Sequence, residues 1–276
     1  MTNKKSSLKS VGIVNYHYSN YGAVLQAAAL HNYIEKEFGY KSEHIDFIPK
    51  GVQVKWYDKL KSKIKAIMME VGLKDKKLTH DSFDNSQIFQ DFRNDWLPIS
   101  SKKFQTLEEL CLADLNYSHV IVGSDQVWRP SYTSSSSLVY FLAFLPPNVK
   151  KISYAASFGN DYWELNEEET KRIAAEIQTF DAISVREKSG VDICKNTFNV
   201  NAVHVLDPTL LIGRCFFDEV IGSAPLNETS EIVYYKLDVD DEFEKFIGNA
   251  ATALNLKKKN IYYSSKGRLK SYRPVA

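Results

Sequence analysis

The sequence predicts an α/β protein built around a doubly wound parallel sheet, and three observations support that prediction. Short apolar runs recur along the chain, with the length of strands that are buried on both faces. Each run ends in a loop of small or polar residues, and segments with the helical spacing of apolar residues separate several runs. Parallel strands place such loops along one edge of the sheet, which is where ligands bind in this class of fold.

The first strand, helix and second strand are predicted from the start of the chain. Residues 11–16 form an apolar run, and a helical pattern begins at Ala23 and ends at Gly39, a residue typical of helix ends. The stretch at residues 43–48 predicts the second strand. Strand, short polar loop and helix are the opening of a doubly wound domain.

Four further strands are predicted in the middle of the chain, at residues 119–122, 151–156, 181–185 and 202–206. The clearest helix between them covers residues 167–179, where Asn166 is a candidate N-cap with Glu169 three residues later. Right-handed crossovers would join these strands into one sheet.

The pattern changes after Leu211, which predicts a second domain. A connection at residues 213–229 precedes one βαβ unit, predicted at residues 231–235, 240–254 and 260–263. So small a sheet cannot bury both of its faces. We therefore predict an N-terminal lobe at residues 11–212 and the start of a second, incomplete lobe at residues 213–276.

Composition excludes several classes of protein. The chain has 276 residues, of which 44% are hydrophobic and 25% charged, as in ordinary globular proteins. A net charge of +1 provides no general attraction for nucleic acid. No run approaches the roughly 20 apolar residues of a membrane span, and the first run is too interrupted for a signal peptide. Three widely spaced cysteines favour a reducing cytoplasm.

A series of motifs resembles the polysaccharide pyruvyl transferase family in order and spacing. The motifs are NYGAVLQ at residues 20–26, IDF at 45–47, VGSDQVW at 122–128, YFL at 140–142, SYAASFG at 153–159, ISVREKSG at 183–190 and LDPTLL at 206–211. The resemblance extends over residues 11 to 263, which is nearly the whole chain.

The resemblance implies a fold similar to that of the B-type glycosyltransferases, with two Rossmann-like lobes and an active site between them. It implies phosphoenolpyruvate as the donor substrate, with no metal or redox cofactor. The implied acceptor is a hexose or hexosamine of a bacterial polysaccharide precursor, often lipid-linked, and the implied product is a cyclic pyruvate ketal.

Family members also carry an acidic-Ser-Phe-His-Gly type motif in the second lobe, and this sequence has none. We therefore expect a chain truncated before that motif, whose own activity stays open. Two alternatives follow. The chain is a catalytically inactive remnant that binds sugar, or it is a B-type glycosyltransferase that uses a nucleotide sugar.

Arg186 is the first candidate for an anion contact, because a guanidinium at a strand end can bind a carboxylate or phosphate through two parallel hydrogen bonds. Glu187 beside it is a candidate contact to substrate. The alternative is a structural ion pair of Arg186 with Glu187 or Asp207.

The first loop offers a second set of candidate substrate contacts. Asn20 supplies an amide, Tyr21 a ring that can stack on sugar, and Gly22 a backbone that can approach a ligand at a helix N-terminus. The alternative is a tight turn between strand and helix. His17 in the same loop is interpreted as a hydrogen-bonded packing residue.

The loop after the strand at residues 119–122 offers groups suited to sugar hydroxyls. Gly123, Ser124 and Gln126 are candidate substrate contacts, and Asp125 is the candidate catalytic base. The alternative is a helix cap formed by Ser124 or Asp125. Asp207, in a later loop, is interpreted as a structural cap.

One basic amphipathic segment runs from Lys55 to Val71, with apolar residues on one helical face and lysines on the others. Such a helix can lie on an anionic membrane, which would suit a lipid-linked acceptor at the inner membrane face. The alternative is a helix that covers the sheet and exposes its lysines to solvent.

Overall fold

The computed structural model describes residues 10–17, 20–49, 86–222, 230–236 and 240–260. The chain divides into two compact units, and among the described residues the first unit ends at Val220 and the second begins at Ile221. The lobe boundaries predicted from the sequence, 11–212 and 213–276, remain predictions.

The described residues of the first unit form one seven-stranded sheet. Its strands are β1 Ser10–Val14, β2 Lys41–Phe47, β3 Ile99–Phe104, β4 His119–Val122, β5 Lys150–Ala156, β6 Ala182–Val185 and β7 Val203–His204. Their order across the sheet is β3-β2-β1-β4-β5-β6-β7, and every neighbouring pair is parallel. The predicted fold class, a Rossmann-like doubly wound parallel sheet, is confirmed. Strand order reverses between β1 and β4, which creates a crevice at their carboxyl ends.

Helices connect these strands in the first unit. They are α1 Tyr21–Phe38, α2 Ser86–Trp96, α3 Leu107–Cys111, α4 Pro130–Thr133, α5 Ser137–Tyr140, α6 Glu167–Ile177, α7 Lys188–Phe198, α8 Pro208–Leu211 and α9 Arg214–Ile221. The predicted caps hold: Gly39 follows α1 with a left-handed φ of 66°, and the Asn166 side chain accepts a hydrogen bond from the Glu169 amide at the start of α6.

Some elements differ from the prediction. Helix α9 lies inside the predicted connection 213–229, because Phe216 packs into a hydrophobic cluster with Leu97 and the alanines of α1. The edge strand β3 and helix α2 were not predicted. The middle of β3, residues 101–103, is exposed, so this strand has no apolar run that would reveal it.

An aromatic core anchors the motifs of the β4 and β5 loops. Trp128 is fully buried, donates its indole N–H to the Tyr140 carbonyl over 2.9 Å and stacks on Phe141 with 5.1 Å between ring centroids. Phe158 packs against the same indole at 5.4 Å. These aromatic residues of the VGSDQVW, YFL and SYAASFG motifs therefore anchor the loops after β4 and β5 in the hydrophobic core.

The described residues of the second unit form a two-stranded parallel sheet and one helix: β8 Glu231–Tyr234, α10 Asp241–Leu254 and β9 Lys257–Asn260. The predicted βαβ order is present. The last strand begins at Lys257, so the predicted range 260–263 was wrong at its start, and residues 261–263 lie outside the described residues. Lysines occupy most of β9, which is why its sequence lacks a strand pattern.

Candidate functional site

The loops that follow β4, β5, β6 and β7 meet at the carboxyl edge of the sheet. These strands are adjacent and parallel, so residues far apart in sequence come together there. We call one group of them the rim cluster, defined as Ser124, Asp125, Gln126, Ser157, Arg186, Glu187 and Asp207. Predicted site residues make up most of this group, while Ser157 was not predicted as a site residue.

Asp207 is the centre of the rim cluster. Its Oδ2 accepts a hydrogen bond from the Ser124 hydroxyl over 2.6 Å and lies 3.3 Å from Nη1 of Arg186. Its Oδ1 accepts from the backbone N–H and the hydroxyl of Thr209, over 3.0 and 2.7 Å. Asp207 therefore both caps α8, as the sequence predicted, and joins three loops.

Arg186 is half-buried and forms two ion pairs. Its Nε lies 3.1 Å from Glu187 Oε1, and its Nη1 bonds Asp207 and Ser124. The structural ion pair considered from the sequence is thus present. Within the described chain Nη2 donates no hydrogen bond, so this nitrogen remains available for a ligand.

Arg186 and Asp207 each stabilise the ionised form of the other. Burial lowers the pKa of Arg186, but hydrogen bonding to Glu187 and the charges of Glu187 and Asp207 raise it above its usual value overall. Burial raises the pKa of Asp207, but hydrogen bonds from Ser124 and Thr209 together with the Arg186 charge hold it below its usual value. Both groups are therefore ionised at neutral pH.

Asp125 differs electrostatically from Asp207. Burial raises its pKa, and the hydrogen bond from the Gln126 amide and the charge of Arg186 only partly offset this. Burial and the negative charge of Asp125 also raise the pKa of the Tyr16 phenol to about 12. A carboxyl whose pKa is raised by burial can exchange a proton more readily near neutral pH, as acid–base catalysis requires.

The backbone of Asp125 is strained. Its φ is +89°, which is rare for a residue other than glycine, and its carboxylate accepts from the next amide over 2.7 Å. Neither Ser124 nor Asp125 caps a described helix, since α4 begins only after Arg129. The helix-cap alternative for this loop was therefore wrong.

Gly123 and Gln126 each pack against a residue close to the rim cluster. A Cβ on Gly123 would lie 3.1 Å from the Asn15 side chain, so the glycine allows the β1 and β4 loops to approach each other closely. The Gln126 side chain accepts from Arg129 Nη1 over 2.9 Å. Both residues have packing roles here, and their predicted contact with substrate stays a prediction.

Glu187 and Ser157 link the β5 and β6 loops. The Ser157 hydroxyl donates to Glu187 Oε1 over 2.8 Å, and the same oxygen pairs with Arg186. Glu187 therefore positions the guanidinium. Ser157 lies in the SYAASFG motif, and its position at a strand end was the signal that could have revealed it.

The first loop forms the N-terminus of α1. Asn20 accepts a hydrogen bond from the Ala23 amide over 3.1 Å, so the residue is the N-cap of α1. Residues 18 and 19 of the predicted tight turn lie outside the described residues. Tyr21 is 40% exposed and packs against Phe89 at 4.7 Å between ring centroids. Gly22 is exposed beside them. Whether these three residues contact a sugar remains a prediction.

His17 is buried at the end of β1, 1% exposed. Its Nδ1 lies 3.2 Å from the Asn15 carbonyl and its Nε2 lies 3.5 Å from Asp46 Oδ1. These contacts agree with the interpretation of His17 as a packing residue. They also place an ionisable pair at the same edge of the sheet as the rim cluster.

Comparison with known proteins identifies one family. The family model described as polysaccharide pyruvyl transferase matches residues 20–274, which is nearly the whole chain. No curated protein matches the chain. The match includes every residue of the rim cluster.

Proposed function

Because the chain belongs to the polysaccharide pyruvyl transferase family, we propose that it acts in the transfer of a pyruvyl group from phosphoenolpyruvate to a sugar diol of a bacterial polysaccharide precursor. The family is a transferase family. The donor, the acceptor and the ketal product are the parts that we propose, together with a cytoplasmic location and the absence of a metal or redox cofactor.

The proposed reaction sets clear demands on the site. Two sugar oxygens bond to C2 of the donor, and the bond from C2 to the phosphate oxygen breaks. One hydroxyl proton ends on the methylene carbon and the other on the released phosphate. A base, an acid and positive charge near the donor's carboxylate and phosphate are therefore needed.

The observation that carries the proposal is the placement of Asp125 beside Arg186 in the rim cluster. Arg186 is ionised, fixed in position, and has Nη2 available for an anion. Asp125 has a pKa raised by burial, as suits a group that accepts a hydroxyl proton. We assign the anion contact to Arg186 and the role of base to Asp125.

The charge of Arg186 is already balanced by Glu187 and Asp207. A donor with both a carboxylate and a phosphate therefore needs further cations or N–H groups. The family resemblance expects these in the second lobe, including the histidine of its acidic-Ser-Phe-His-Gly type motif. We accordingly propose that the rim cluster provides only part of the donor site.

Substitution of Arg186 tests the proposal. Arg186→Ala is expected to weaken phosphoenolpyruvate binding by about tenfold to a hundredfold, the usual cost of losing hydrogen bonds to a charged group. Calorimetric titration of the full chain with phosphoenolpyruvate measures this, and phosphate release in the presence of an acceptor sugar measures turnover.

Arg172→Ala is the matched control, because Arg172 is an exposed arginine of α6 in a surface pair with Glu168. It should leave phosphoenolpyruvate binding unchanged. Equal binding by the wild-type chain and Arg186→Ala would remove Arg186 from the donor site and contradict the proposal.

Calorimetric titrations with phosphoenolpyruvate, a nucleoside diphosphate and a sugar separate the alternatives. A chain that binds nucleoside diphosphate and no phosphoenolpyruvate would be a nucleotide-sugar glycosyltransferase. Sugar binding without phosphate release would indicate the inactive remnant.

The amphipathic segment from Lys55 to Val71, proposed to contact a membrane and a lipid-linked oligosaccharide acceptor, lies outside the described residues. No described helix is long and apolar enough to cross a bilayer.

A further inference from the structure

A polar cleft of about 280 Å³ lies beside α2, between this helix and strands β2 and β3. We call it the α2 cleft. It is separate from the rim cluster, and none of its residues was a predicted substrate contact. The residues that decide its chemistry are His17, Asp46, Gln90, Arg93, Asn94 and Lys103.

The most buried part of the α2 cleft contains the pair of His17 and Asp46, whose residues are 1% and 6% exposed. The Asn15 carbonyl can only accept a hydrogen bond, so Nδ1 of His17 donates to it. Nε2 of His17 lies 3.5 Å from the Asp46 carboxylate. Among the described residues that line the cleft, Asp46 is the one with a carboxylate.

Two cations reach the same cleft from different elements. Arg93 comes from the last turn of α2 and Lys103 from β3, where it is paired in register with Asp46. In the described part of the chain, neither side chain forms a hydrogen bond or a salt bridge. Favourable interaction with the helix dipole accounts for an arginine in the last turn of α2, but not for the lysine opposite it.

The composition of the cleft therefore indicates an anionic ligand that also has hydroxyl groups. Arginine and lysine are the side chains that bind phosphate. Gln90 and Asn94 lie one helical turn apart on α2 and provide amides, which can both donate to and accept from hydroxyls. The volume is below the roughly 300–1,000 Å³ of pockets for drug-sized ligands, so one sugar unit is a better match than an oligosaccharide.

We propose that the α2 cleft binds the phosphate group of a phosphorylated hexose, with Arg93 and Lys103 on the phosphate and Gln90 and Asn94 on the ring hydroxyls. The phosphate part of this proposal stands on the cleft alone. The choice of a hexose as the phosphorylated sugar rests on the proposed function.

Calorimetric titration of the full chain with glucose 1-phosphate, glucose and inorganic phosphate provides the test. Glucose 1-phosphate should bind more tightly than either of the others. Arg93→Gln and Lys103→Gln should each weaken its binding about tenfold, because each removes a charged contact to phosphate. Raising the salt concentration should also weaken it, since the cleft is open to solvent.

Lys102→Gln is the matched control. Lys102 is the neighbour of Lys103 on β3, its ammonium lies 5.3 Å from the Phe104 ring, and it does not line the α2 cleft. This variant should bind glucose 1-phosphate as tightly as the wild-type chain. Melting temperatures establish that each variant is folded, and Lys103→Gln decides the outcome if Arg93→Gln melts early.

Equal affinity for glucose and glucose 1-phosphate, unchanged affinity in both charge variants, or no binding to the wild-type chain would each overturn the proposal. Phosphoenolpyruvate binding separates it from the proposed function. Arg93→Gln should keep wild-type affinity for phosphoenolpyruvate, and Arg186→Ala should keep wild-type affinity for glucose 1-phosphate. Loss of one binding event without the other shows which of the two assignments has failed.

Discussion

Acidification from pH 7 to pH 5 is expected to destabilise the first unit through His44. This residue is fully buried in β2, with the Asn15 side chain 3.1 Å from its Nδ1. The rings of His17 and His31 lie 5.9 and 6.2 Å away on either side. Burial lowers the pKa of His44 well below 6.5, and the neighbouring histidines lower it further.

The sign and size of the effect follow from proton linkage. Below pH 6.5 the unfolded chain binds a proton at His44 that the folded chain does not, so the free energy of unfolding falls as the pH falls. The limiting slope for one group is about 1.4 kcal/mol per pH unit, which gives about 2 kcal/mol between pH 6.5 and 5. His31 acts in the same direction, because burial lowers its pKa while Glu35 only partly opposes this.

Urea unfolding of the full chain at pH 7, 6 and 5 measures this loss. His44→Asn keeps a polar group near the Asn15 side chain but cannot take up a proton, so it should remove about 2 kcal/mol of the pH dependence. His204→Asn is the control, because His204 is exposed on β7. Equal pH dependence in the wild-type chain and His44→Asn would refute the reasoning.

Two further predictions concern the loops. Gly159→Ala is expected to cost about 1–3 kcal/mol of stability by urea unfolding, since φ is +70° and the new Cβ would lie 2.6 Å from Gln126 Oε1. Gly39→Ala, with φ +66° and open space around it, should cost less, and equal losses would contradict the clash. Asn20→Ala should lower stability by about 1 kcal/mol through loss of the cap on Ala23, and Asn20→Asp should restore most of it in the same assay.

The sequence was sufficient for the fold because the central strands are buried. Strands such as β1 and β4 are buried or partly buried at every position, so they appear as short apolar runs before polar loops. The exposed edge strand β3 and the lysine-rich β9 show the limit of this signal. There, backbone hydrogen bonds to the neighbouring strand form a strand that the pattern of side chains does not indicate.

The sequence identified the loops that form most of the rim cluster, while the contacts of those loops with substrate stay predictions. Parallel topology was enough to bring Ser124 and Arg186 to one edge. The sequence also offered the ion pair of Arg186 with Asp207, but it did not show the hydrogen bond from Ser124 to Asp207, because that contact joins positions 83 residues apart. The α2 cleft could not be predicted at all, since neither α2 nor β3 had been recognised.

Asp207 connects three parts of the first unit. A single carboxylate holds the loops after β4 and β6 and also begins α8, which packs on α1. An anion that binds Nη2 of Arg186 would therefore contact a guanidinium that this carboxylate holds in place, together with the Ser124 loop and the start of α8.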